Sequence, residues 1–192
     1  IGPAAFVSCV SLEKVVLPQN LKRLEQLTFA NCQNIREIEL PQTLNFIGEM
    51  AFYACYELYE LNLPDSILEI QTCAFEECGI KSIVIPQQVI TLSEGLFLDC
   101  PNLTSVTLHA NLREIQNNAF QNCTSLESIE IPASVTRIGE GLFYGCTGLR
   151  DVTLPASMRE IPDAMFKFCK SLDNITIPET VTKIGIHAFY EC

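Results

Sequence analysis

A β-dominated α/β solenoid, wound from 23-residue units, is the fold class this sequence predicts, and three observations predict it. Phe recurs at 6, 29, 52, 75, 97, 120, 143, 166 and 189, in steps of 23 with a single step of 22. Cys follows each Phe by three residues, at 9, 32, 55, 78, 100, 123, 146, 169 and 192. A Pro closes an apolar stretch at 18, 41, 64, 86, 132, 155 and 178. A fixed period of this size marks units that stack only on their neighbours and share one core. The expectation is one right-handed superhelix over 1–192, about eight repeats long, with one parallel β-sheet.

Each unit opens on an apolar residue such as Leu58 or Leu126, followed three on by Leu61 or Ile129 and two further by Leu63 or Ile131. The last pair is spaced by two and rich in β-branched side chains, so it reads as a short strand with those residues inward. Pro then ends inter-unit pairing, having no N–H to donate. His109 takes that place in one unit. Two residues past the Pro column stands a small or amide side chain, as at Asn20, Thr43 and Ser66, able to bond the turn backbone. Two apolar columns follow, three apart, exemplified by Leu44 and Ile47. Gly48, Gly139 and Gly185 come next and are expected to mark a tight bend. Phe and Cys at i and i+3 would share one face of a single helical or 3₁₀ turn, both pointing inward. The 22-residue step arises at Gly79, which alone separates Cys78 from Ile80; the deletion is expected to be absorbed locally with strand register intact.

Hydrophobic residues make up 48% of the 192, ample for a core, and net charge is 12 − 23 = −11. Such acidity opposes nucleic acid, which needs its phosphates neutralised, and opposes anionic lipid likewise. No apolar run reaches the 18 or so residues that would cross a membrane. The chain begins and ends in the same phase of its repeat, without the atypical capping units of a finished array. It therefore reads as an uncapped piece of a larger protein, with apolar edges at Phe6 and Phe189 and a tendency to associate end to end.

Nine cysteines in one column read as buried reduced thiols behaving as small hydrophobes. A disulfide reading has the Cα spacing in its favour but stacked side chains pointing the same way; zinc would need converging ligands, usually in C-x₂₋₄-C pairs. Cys73 lies outside the column and is the candidate accessible thiol. His109 and His187 are more than three repeats apart and cannot form a nucleophile–base pair. No glycine-rich phosphate loop is present. Neither a catalytic residue, a cofactor site nor a metal site is assigned. Sequons at Asn102, Asn122 and Asn174 matter only in a eukaryotic secretory setting.

What varies is the outward side of the strand. Glu37, Glu39 and Glu60 should fall on adjacent strands, flanked by Tyr59 and Asn62, and like charges so placed repel unless a basic partner neutralises them. Tyr is also enriched at binding hot spots. These five residues form the candidate partner-binding patch. Tyr53 and Tyr56, on the opposite turn, are a weaker signal.

The fullest unit, Leu126 to Cys146, runs Leu-x-x-Ile-x-Ile-Pro-x-x-Val-x-x-Ile-Gly-x-x-Leu-Phe-x-x-Cys. It resembles the BspA-like leucine-rich repeat family, and the resemblance covers the whole chain. The chain departs from general leucine-rich repeats, which place Asn nine positions into the unit where this one mostly has Ser or Thr. The resemblance implies a surface or secreted protein of an anaerobic bacterium or protist, with adhesion to host matrix, host cells or other microbes through a protein or glycan partner. The functional expectation is a non-catalytic binding module; the alternative is a structural spacer that displays other domains.

Overall fold

A computed structural model describes all of residues 1–192. Each coil has three sides: a first strand, a second strand and a wall of turns. The first sides carry β1 (Lys14–Val16), β3 (Glu37–Glu39), β6 (Ser82–Val84), β8 (Ser105–Thr107), β10 (Ser128–Glu130) and β12 (Asp151–Thr153), numbered along the chain. The second sides carry β2 (Arg23–Leu24), β4 (Phe46–Ile47), β5 (Glu69–Ile70), β7 (Thr91–Leu92), β9 (Glu114–Ile115), β11 (Arg137–Ile138), β13 (Glu160–Ile161) and β14 (Lys183–Ile184).

All pairings are parallel and mostly 23 residues apart, as in Val15↔Ile38 and Ile47↔Ile70. The single expected sheet is therefore corrected to two sides of pairing, each broken into short ladders. Apolar residues three apart, such as Leu112 and Ile115, leave only two residues between them, too few to show an alternation. That spacing hides the second strand from a period-two reading, yet stacking supplies each such segment with a neighbour on the next coil.

The turn wall overturns a second expectation. It contains no helix; each coil instead makes consecutive i→i+3 turns around its Phe. In one coil Ala30 N–H donates to Leu27 O and Cys32 N–H to Phe29 O, while the alternate amides of Leu27, Phe29 and Asn31 donate to Glu49, Ala51 and Tyr53 of the following coil. The residues two before and two after each Phe have positive φ, for example Leu27 at 58° and Asn31 at 59°. Two left-handed residues per turn segment break any α-helical run. They also turn every second amide toward the neighbouring coil, so the wall is cross-linked by backbone hydrogen bonds.

Gly48, Gly139 and Gly185 lack the left-handed φ that a special bend would show. A Cβ on Gly48 would instead lie 2.6 Å from Gln26 N of the preceding coil, so close approach is what selects glycine there. Gly79 works in the same way. Its Cβ position is 2.0 Å from Tyr56 O, and its N–H donates to Cys55 O. The deletion is taken up at this point: Glu60 pairs with Ser82 at a 22-residue offset, and β6 and β8 resume at 23.

Inside, 48 buried residues form one core cluster running from Leu17 to Ala188. The Phe rings stack from Phe6 to Phe189, with centroids 5.0 Å apart at Phe6–Phe29 and 5.8 Å at Phe120–Phe143. Their planes are nearly parallel, 4° apart for Phe97 and Phe120. Such spacing exceeds the rise between coils, so the rings are offset, the arrangement aromatic quadrupoles favour.

Candidate functional site

The cysteine column is inert by construction. Cys32, Cys55, Cys78, Cys100, Cys123, Cys146 and Cys169 are buried, and all ten cysteines are free. Each inner thiol has a specific acceptor: Cys123 Sγ donates to Phe97 O at 3.2 Å and Cys146 Sγ to Phe120 O at 2.9 Å, always a carbonyl of the preceding coil. Beside the Gly79 deletion the acceptor changes to Cys55 O, reached by Cys78 Sγ at 3.5 Å. Burial pushes Cys32 up to about 11 and Cys78 and Cys169 up to about 12. A thiolate is the reactive form, and here it is suppressed. Cys73 is half-buried and pushed up to about 12, by burial first and then by its hydrogen bond to Glu76. It is therefore not the most accessible thiol, a place taken by the exposed Cys9 and Cys192.

The histidines lie apart. His109 is buried at the end of a first-side strand, where its Nδ1 accepts from Asn111 N–H; its Nε2 has no partner. His187 is exposed on the turn wall against Tyr190. Of the sequon residues, Asn122 is half-buried and donates to Asp99, while Asn174 is exposed but lies outside any assigned strand.

Four of the five candidate partner-binding residues come together. Glu37, Glu39, Glu60 and Asn62 line an open groove of about 430 Å³ over the first strand side, and Lys14 and Arg36 line it with them. All four are exposed. Repulsion along the row is relieved on one side, because Lys14 lies opposite Glu37 in the ladder and pairs with it. That ammonium holds the Glu37 carboxyl below its ordinary range, first through the hydrogen bond and then through charge. Glu39 and Glu60 make no ion pair.

Tyr59 does not line the groove. It is half-buried beside it, donating to Glu57 at 3.0 Å, with Lys81 Nζ 4.7 Å from its ring centroid. Arg36 reaches the same Glu57 at 3.5 Å. The Tyr59 N–H bonds Glu57 O within its own coil, whereas the equivalent amides of Lys81 and Thr104 donate to the coil before. This local bond is where the first ladder is interrupted. Glu60 consequently pairs with Ser82 but forms no ladder with β3.

Two features were not singled out from sequence. A larger groove of about 1030 Å³ lies over the second strand side, between Glu94 and Lys183. It carries both charge signs, and two of its pairs close internally, Arg137–Glu114 at 3.0 Å and Lys183–Glu160. The smaller groove is the better candidate because its free charge is of one sign. The second feature is on the turn wall, where carboxylate oxygens of Glu76, Glu77 and Asp99 lie within 4.8 Å of one another. Tyr56 donates to Glu77 at 2.8 Å and Asn122 to Asp99 at 2.7 Å, so donors already occupy part of this cluster. Beside Glu77 both Tyr53 and Tyr56 are held above the ordinary phenol value. The signal was present two residues after Phe75 and Phe97, where Glu77 and Asp99 replace the small or amide residues seen at Ser8, Asn31, Ala54 and Asn122.

The comparisons with known proteins fit this architecture. No curated protein sequence matches the chain. A leucine-rich repeat protein from Bacteroides ovatus is 26% identical with a TM-score of 0.57, covering 100% of this chain and 67% of that one. The leucine-rich repeat protein of T. pallidum is 27% identical with a TM-score of 0.64, covering 93% and 76%. A leucine-rich cell surface protein from Faecalibacterium prausnitzii, 23% identical with a TM-score of 0.55 over 93% and 70%, shares the fold. The family model for the BspA-type leucine-rich repeat region matches residues 1–79 and 68–192. Its two matches span the sequence, and the chain belongs to the BspA-type leucine-rich repeat family.

Proposed function

We propose that this chain is a non-catalytic binding module of a cell-surface or secreted protein, and that it engages a protein or glycan partner through the first strand side. The observation that carries this reading is the groove in which Glu39 and Glu60 stand exposed and unpaired beside Glu37 and Asn62. A rigid stack offers such side chains with little ordering left to do on binding. The chemistry fits a partner that brings cationic groups or hydrogen-bond donors. Surface or secreted placement rests on the family. A second reading, a spacer that displays other domains, draws support from the second strand side, where facing charges pair within the molecule.

The test is a binding screen of the intact chain against extracellular-matrix proteins and arrayed glycans, followed by charge reversal at Glu37 and Glu60. Loss of affinity in the double variant supports the groove. Unchanged affinity for a captured ligand moves the site elsewhere, and no ligand from either class favours the spacer.

A further inference from the structure

The turn wall carries two unneutralised patches of opposite sign. At one end Lys167 Nζ lies over three rings, 5.1 Å from the Phe168 centroid, 5.3 Å from Tyr190 and 5.6 Å from Tyr144. The rings meet edge to face, at 5.4 Å for Tyr144–Phe168 and 5.7 Å for Phe168–Tyr190. Lys167 has no carboxylate partner. Phe168 is itself anomalous. Its column, two past the core Phe, otherwise holds only small, amide or acidic residues, from Ser8 and Asn31 to Glu77 and Glu191, and Phe168 takes the same left-handed conformation at φ 65° while half-exposed. A bulky side chain in that conformation is strained, and it has no core burial to offset the strain.

Four coils earlier the same columns hold Glu76 and Glu77, and three coils earlier Asp99, a cluster that no cation neutralises. At about 4.8 Å per coil the two patches are roughly 19 Å apart, beyond the reach of any intramolecular pair. Midway lie Gln121 and Asn122, uncharged and half-buried.

The geometry points to a second copy of this chain as the occupant of the aromatic–lysine shelf, docked antiparallel about a two-fold axis near Asn122. That operation brings the coil of Glu76 and Glu77 against the coil of Lys167, and the coil of Tyr53 and Tyr56 against that of Tyr190. It does so twice, and an isologous contact closes at the dimer. At physiological salt the Debye length of about 8 Å screens the net repulsion of two acidic chains, while charges in contact still attract. The strip is only a turn segment wide, so the dimer is weak and salt-sensitive.

Sedimentation equilibrium of the full chain tests this. Expected are a concentration-dependent dimer at about 0.15 M salt that dissociates at about 0.5 M. Lys167→Glu alone and Glu77→Lys alone should each weaken association about tenfold or more, and the two combined should restore it, because the contact pairs these positions. Circular dichroism verifies that each variant is folded, and Glu76→Lys replaces Glu77→Lys if the latter is not. A monomer at every concentration, a dimer indifferent to Lys167→Glu, or a double variant without recovery overturns the proposal. Open-ended growth points to stacking at the coil edges instead, and retention of an acidic glycan by the shelf, lost in Lys167→Glu, makes it a glycan site; either result also overturns the proposal.

Discussion

The inner turn wall and the outer first-strand side sit on the same coils, yet they differ in what the repeat leaves free. On the wall, Phe and Cys return in every coil, buried in all but the two end coils, with the rings stacked and each inner thiol donating to a carbonyl of the coil before. On the outer side, the row Lys14, Glu37, Glu60, Ser82 runs from a base through two acids to a hydroxyl on equivalent positions of successive coils. Sameness here reports packing, since a side chain that must fit its own copy above and below has few alternatives. Variation on an unvaried backbone is the raw material of recognition. The nine-cysteine column is thus explained by packing, whereas packing does not account for the two unpaired glutamates.

The sharpest way to break this contrast is alkaline pH. Folded thiols at about 11 to 12 keep their protons where an unfolded thiol, near 8.5, has lost its own. Stability contributed by the column is thus complete below about pH 8.5 and falls as pH rises toward the folded values, by about 1.4 kcal/mol per pH unit for each fully buried thiol. Summed over the column, this should unfold the chain between about pH 9 and 11, followed by circular dichroism. A chain that stays folded through that range would mean the thiols are less buried than their geometry shows.

Within the stack, Phe97→Ala removes a ring with neighbours on both sides and should cost about 3–5 kcal/mol in urea denaturation. Cys123→Ala is a smaller loss, about 1–2 kcal/mol, because it forfeits the sulfur's packing and its hydrogen bond to Phe97 O. On the outer side, Glu39→Lys should move stability by less than about 0.5 kcal/mol, since Glu39 is exposed and makes no ion pair. The same substitution should weaken the partner captured in the binding screen. A large stability loss at Glu39 with little change in binding would invert the assignment of the two surfaces.

Much of this was legible in the sequence. The Phe and Cys columns fixed the stack, and the strand column fixed which of Glu37 and Ile38 faces out. Other features were hidden for physical reasons. A two-residue strand such as Arg23–Leu24 has no period of its own and exists only because the next coil pairs with it. The i, i+3 spacing of Phe and Cys suits a helical turn, but left-handed residues such as Leu27 and Met50 are not marked by glycine, so their φ could not be read from residue type. Tyr59 lies beside the glutamates without lining their groove: it bonds Glu57 two residues earlier, and the Lys81 ammonium over its ring comes from the following coil, a contact no single unit displays. The acidic cluster of Glu76, Glu77 and Asp99 is likewise a product of stacking.

Thiol labelling read by peptide mass spectrometry, on the native chain at neutral pH and again in denaturant, tests the central contrast most directly. Expected in the native state is prompt modification of Cys9 and Cys192, slow modification of Cys73 and protection of the buried column, with all ten labelled once the chain is unfolded. Prompt native labelling of Cys100 or Cys123 would show that the inward column is open to solvent and chemistry, and would contradict the division between an inert Phe–Cys column and the outward side chains.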